Sequence, residues 1–173
     1  MPHRPQPIPM PASREPASLL AVDRAVSELR RGRAVAVQGG GGAAAVVQAA
    51  EGITPEALQT LADLGGGEPV LTITGRRAAV LGLPRSLAKV VRVIPFGGVD
   101  AGLVRDLADP LSDLPVPPPM ELEAIDAPPH GCDSAAVGLA KLARLLPAAV
   151  VVDLTAPDAD DLAAWALRHD LLM

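Results

Sequence analysis

SAAVGLAKLARLLPAAVVVDL, residues 134–154, decides the fold. Val137, Leu139, Leu142 and Leu145 recur at helical spacing through its first half, and Pro147 ends the helix. Ala148 to Leu154 is then almost wholly apolar, the pattern of a strand covered on both faces. Such a strand needs apolar helices above and below its sheet. The expected class is therefore α/β (α+β), a mixed sheet flanked by helices.

Outward from there the chain alternates. Towards the carboxyl end, Asp158 to His169 reads as a helix and Leu171 to Met173 as a strand just begun. Towards the amino end, strands are expected at Arg33 to Gln38, Ala43 to Ala50, Pro69 to Thr74, Lys89 to Pro95 and Met120 to Ile125. Helices are expected at Ser18 to Arg31, after the cap Thr54-Pro55-Glu56, at Arg76 to Leu83 and at Val99 to Leu107. Gly32 supplies a left-handed stop. Residues 1–16 hold six prolines and read as a disordered leader, leaving 17–173 as one domain. Pro115 to Pro119 is the one hinge candidate.

Composition excludes several functions. The 173 residues carry a formal charge of -5, one Phe (Phe96), one Trp (Trp165) and no Tyr. Base-stacking platforms and phosphate-backbone binders are thereby disfavoured, so no nucleic acid is expected. A single Cys132 rules out a disulfide scaffold or a multi-thiolate metal site. No apolar run reaches membrane length and no secretory signal opens the chain, so a cytoplasmic protein that binds no membrane is expected.

Candidate sites weigh lightly. Gly39 to Gly42 follow a strand, where phosphate loops occur, but Ala43 to Ala45 supply no Lys, Ser or Thr behind them. A hairpin turn is the preferred reading. His130, Cys132 and Asp133 gather a base, a thiol and an acid within four residues. A thiolate nucleophile needs an electropositive setting, and a metal needs further ligands than His3 and His169 offer. Asp133 or Ser134 capping the following helix is the simpler account. Glu121 and Glu123 alternate on one strand face as a solvated edge. Asp158, Asp160 and Asp161 suit the first turn of the last helix. No catalytic, metal or cofactor residue is assigned; His130, Cys132 and Asp133 stand as the weak candidates.

Three stretches, in order, resemble 3,4-dihydroxy-2-butanone 4-phosphate synthase. They are Ala25 to Leu58 (from AVSELRRGRAVAV to VVQAAEGITPEAL), DAGLVRDLADP at 100–110, and the 134–154 stretch with its Leu-Arg-His-Asp-Leu-Leu sequel. Family members convert ribulose 5-phosphate to a four-carbon sugar phosphate and formate with magnesium. Their carboxylates lie in an acidic loop, of the form Asp-Asp-Glu-Asp-Arg-Glu-Asn-Glu-Gly-Asp. In that place this sequence has Gln38, four glycines and Ala43 to Ala45. The family's helix entry reads Gly-His-Thr-Glu; here Gly131 matches, but Cys132 replaces the His and Ser134 the Glu. The Thr- and Asp-rich sugar-phosphate segment expected after Gly75 is missing.

The resemblance therefore implies a degenerate domain, of the kind found amino-terminal to bacterial GTP cyclohydrolase II. Its expected role is catalytically silent, supporting or dimerising a cyclohydrolase in riboflavin biosynthesis. A homodimer, a cyclohydrolase domain beyond an incomplete carboxyl end, and no cofactor are expected. The rivals are a live synthase rearranged around His130, Cys132 and Asp133, which would use magnesium, and a small-molecule sensor.

Overall fold

The computed structural model describes residues 15–84, 87–156 and 158–173. Residues 1–14 of the expected leader, His3 among them, lie outside this range. Six strands form one sheet: β1 (Val35–Gln38), β2 (Ala44–Ala49), β3 (Val70–Thr74), β4 (Val90–Pro95), β5 (Leu122–Asp126) and β6 (Ala148–Leu154). Their order is β1-β2-β6-β3-β4-β5, and every pairing is antiparallel. Among the described residues six α-helices surround it: α1 (Glu15–Arg30), α2 (Pro55–Gly65), α3 (Gly75–Val80), α4 (Ala101–Ala108), α5 (Cys132–Leu142) and α6 (Leu162–Arg168). The expected α/β (α+β) class, a sheet flanked by helices, holds, but the sheet is wholly antiparallel rather than mixed, because each strand enters from the end at which its sheet neighbour leaves.

The strand period of two divides the core between two faces. Leu71, Ile73, Val91, Val93, Val150 and Val152 point to one side, against Leu61 of α2, Val104 and Leu107 of α4, and Trp165 of α6. Val35, Val37, Ala45, Val47 and Val151 point to the other, against Ala25, Val26 and Leu29 of α1 and Cys132 and Ala136 of α5. β6 is apolar apart from Asp153 because helices cover both of its sides, although its neighbours run antiparallel.

Caps set most helix starts. Thr54 Oγ1 accepts from Ala57 N at 3.1 Å, as Thr54-Pro55-Glu56 led one to expect. Thr74 Oγ1 accepts from Arg77 N at 3.2 Å, Asp100 Oδ1 from Leu103 N at 2.9 Å, and Asp161 Oδ1 from Ala164 N at 3.1 Å. Two boundaries move in consequence. Val99 lies outside α4, and Asp158 and Asp160 precede α6 rather than filling its first turn, because Asp161 is the cap. At the other end, α1 takes in Glu15 and Pro16, the last two residues of the expected leader; proline is tolerated in a first turn.

Leu171 to Met173 form no strand, yet Ala36 N donates to Leu172 O at 2.8 Å on the outer side of β1. The Pro115 to Pro119 stretch connects α4 to β5, both parts of this one sheet-and-helix arrangement. No helix among the described residues is long and apolar enough to cross a membrane.

Candidate functional site

The antiparallel order gathers one end of the sheet. There β1, β4 and β6 finish, β2, β3 and β5 begin, and the short turns Arg31–Ala34 and Ala143–Pro147 turn α1 and α5 so that their amino ends point the same way. The glycine run and the His130–Asp133 cluster, 90 residues apart, meet at this end.

Gly39 to Gly42 close the β1–β2 hairpin, as the preferred reading had it. Gly39 N donates to Ala43 O at 2.8 Å, and Gly41 and Gly42 take φ of 69° and 81°, the left-handed region glycine enters without strain. The loop leans on the entry to α5: Gly40 N donates to His130 O at 2.9 Å. A Cβ on Gly39 would lie 2.8 Å from Cys132 N and 3.0 Å from Cys132 Sγ. Glycine is required at 39 by close approach of two backbones.

The three weak candidates separate. His130 is exposed, in a left-handed conformation with φ 63°. Cys132 is buried at 4% exposure, its Sγ 3.9 Å from Val37 O. Burial pushes its thiol pKa up, and the charges of Asp153 and Asp133 push the same way, so the thiolate is disfavoured. Asp133 does not cap α5, nor does Ser134. Gly131 is the cap position and makes no side-chain bond, while Ser134 Oγ donates to Pro128 O at 3.0 Å. The physical reason is a stronger use of Asp133. At 3% exposure its Oδ1 accepts from Thr72 Oγ1 at 2.9 Å and from Arg92 Nε at 2.8 Å.

Arg92 then spans β3 with its other two nitrogens. Nη1 and Nη2 donate to Asp153 Oδ2 and Oδ1, each at 2.7 Å, a bidentate fork on β6. The hydrogen bonds that Arg92 donates to Asp153 and Asp133 outweigh burial and raise the guanidinium pKa, so its charge is permanent. Sequence reasoning passed over Thr72, Arg92 and Asp153. The signal was present: each is a polar residue flanked on both sides by apolar residues of its strand.

The remaining acids do not join this network. Glu123 lies on edge strand β5 and Glu121 just before it, both exposed, which agrees with a solvated edge. Asp158 reaches Arg168 at 3.5 Å on the surface. Among the described residues no three His, Cys, Asp or Glu stand close enough to hold a metal ion. Magnesium, which the synthase resemblance implies, therefore does not fit the described residues. Both carboxylates nearest the entry to α5 already neutralise Arg92.

No family model matches the chain. It is 40% identical over 159 residues to a GTP cyclohydrolase-2 of Azospirillum brasilense, a match covering 91% of this chain and 40% of that protein. The chain thus spans about two-fifths of the curated relative's length. Among solved structures it is similar to a two-domain 3,4-dihydroxy-2-butanone 4-phosphate synthase from A. baumannii, at TM-score 0.65 and 21% identity, covering 87% of this chain and 54% of that one. It is also similar to the synthase of Candida albicans, at TM-score 0.67 and 24% identity over 87% of this chain and 91% of that one. A further synthase, solved with two magnesium ions, gives TM-score 0.67 at 19% identity, covering 87% of this chain and 90% of that one. The chain is a domain with the 3,4-dihydroxy-2-butanone 4-phosphate synthase fold, similar in sequence to part of a GTP cyclohydrolase-2.

Proposed function

We propose that this domain is a catalytically silent relative of the synthase, serving riboflavin biosynthesis by supporting and dimerising a GTP cyclohydrolase II. The observation that carries the proposal is the Arg92 clamp. Sugar-phosphate rearrangement by enolisation and carbon migration needs a Lewis acid and an acid–base group near the entry to α5. At that place the carboxylates of Asp133 and Asp153 are held by a permanent cation, and the facing loop is glycine. A magnesium ion would have to displace a bidentate guanidinium in order to bind.

The same geometry weighs against a live synthase rearranged around Cys132. Its thiol is buried, the neighbouring acid is ion-paired, and His130 is exposed on the far side of Gly131. The similarity to the cyclohydrolase supports the choice of partner.

The test is an assay of formate release from ribulose 5-phosphate with magnesium, beside sedimentation of the same preparation. No turnover and a dimer are expected. Formate production abolished by Cys132→Ala would overturn the silent reading, and a monomer at every concentration would overturn the dimerising role.

A further inference from the structure

We infer that the outer edge of β5 pairs with the same edge of a second copy, joining two sheets about a two-fold axis at Ala124. The inference rests on the dimerising role proposed above and gives it a surface. The sheet has two edges, β1 and β5. The β1 edge is capped, since Ala36 N donates to Leu172 O at 2.8 Å. The β5 edge is bare. Phe96 N donates to Glu121 O and Ala127 N to Val90 O, so Glu121, Glu123, Ile125 and Ala127 turn their amides and carbonyls towards β4. Those of Leu122, Ala124 and Asp126 therefore face outward, and none has a hydrogen-bond partner there among the described residues. Neither proline nor glycine interrupts the strand. Such an edge is a template for another strand.

The strand's own sequence selects the partner and the register. An antiparallel copy centred on Ala124 sets Ala124 against the partner's Ala124 and Leu122 against the partner's Asp126. It also sets Glu123 against the partner's Ile125 and Glu121 against the partner's Ala127, so no acid directly opposes an acid. Each opposed pair of outward residues then exchanges two backbone hydrogen bonds. Other registers fail. Centring on Leu122 opposes Glu121 to the partner's Glu123, and centring on Glu123 or Asp126 opposes that acid to itself; like charges directly opposite destabilise. Centring on Ile125 sets Leu122 against the partner's Pro128, which has no N–H to donate. In the surviving register Ile125, 43% exposed, is covered by the methylenes of the partner's Glu123. One repulsion remains, between Glu123 and the partner's Glu123, diagonal neighbours about 7–8 Å apart.

The experiment uses the full chain, in sedimentation velocity and non-reducing electrophoresis. Ala124→Pro removes the central outward N–H, leaves the ladder to β4 its bonds, and is expected to abolish the dimer. Ala124→Cys sets two thiols across the axis with Cα atoms about 5.5 Å apart, within disulfide range. Copper phenanthroline, a mild oxidant, is therefore expected to link two chains of that variant. Asp126→Cys holds its two copies about 14 Å apart and is expected to give no link. Cys132 is buried and does not compete. Glu123→Gln removes the diagonal repulsion and is expected to tighten the dimer about twofold. Should Ala124→Pro fail to fold, the two cysteine variants decide. A monomer at every concentration would overturn this inference together with the dimerising role. A dimer that survives Ala124→Pro, with no link in Ala124→Cys, would overturn this inference alone and move the contact to another surface. Equal linking in Asp126→Cys and Ala124→Cys would overturn it too, since the register would be lost.

Discussion

Arg92 on β4 and Asp153 on β6 are joined by two parallel hydrogen bonds of 2.7 Å across the intervening strand β3. The fork fixes three strands of the sheet to one another at the end where α5 begins. It also leaves Nε free to satisfy Asp133, which is buried and has Thr72 as its other partner.

Removing the guanidinium should therefore cost more than a surface ion pair would. Arg92→Leu leaves Asp133 buried with one hydroxyl donor, and a destabilisation of about 3 kcal/mol is expected in urea unfolding. Thr72→Val should cost about 1–2 kcal/mol, since the guanidinium still compensates the charge. The two changes share Asp133, so the double variant should depart from additivity. A loss below 1 kcal/mol for Arg92→Leu would show the clamp to be a screened surface pair.

Cys132 gives a pH dependence of known sign. Its folded-state pKa is raised above the ordinary value of 9.0, chiefly by burial. Below 9 the thiol is protonated in both states and contributes no slope. Above 9 the unfolded chain releases the proton while the folded chain retains it, so stability falls as pH rises. Urea unfolding between pH 8 and 10 should show this decline in the wild type. It should be weaker in Cys132→Ala, and iodoacetamide should label the native thiol far more slowly than the unfolded one.

Trp165 sits at 1% exposure under the α2–α4 side of the sheet, with its ring 4.8 Å from that of His169. Trp165→Ala should cost ~3–5 kcal/mol by opening a cavity in an otherwise aliphatic core. Trp165→Leu should cost clearly less, because part of the volume is refilled. Equal losses for the two would assign the effect to the contact with His169 instead.

How far the sequence discloses this molecule depends on the range of the interaction. The helix–strand alternation is legible because periodicity is local: Val137 and Ala140 of α5, and Val150 to Val152 of β6, announce their burial within a few residues. Thr54 and its neighbours announce a cap in the same way. The role of Asp133 is not legible, since its partners Thr72 and Arg92 lie 61 and 41 residues away and only the sheet order brings them together. For the same reason adjacency misleads at His130, Cys132 and Asp133. A helix entry sends successive side chains in different directions, so three reactive types within four residues share no common site.

The glycine loop separates a structural from a ligand-binding role within four residues. Gly39 is held by contact: an added Cβ would press on the backbone of Cys132, which cannot move without shifting α5. Gly39→Ala should therefore cost about 1–3 kcal/mol. Gly41 and Gly42 are held by conformation alone, with positive φ and nothing within 4 Å of an added Cβ. An Asn-Gly pair suits consecutive left-handed positions, so Gly41→Asn should change stability by no more than about 0.5 kcal/mol. Positions 41 and 42 are the ones in this loop whose φ angles are both positive. Calorimetric titration of the wild type with ribulose 5-phosphate and with GTP should give no heat of binding, since the loop amides of Gly39 and Gly40 already donate to Ala43 O and His130 O. Micromolar binding lost in Gly41→Asn would assign the loop to a phosphate and the domain to a sensor.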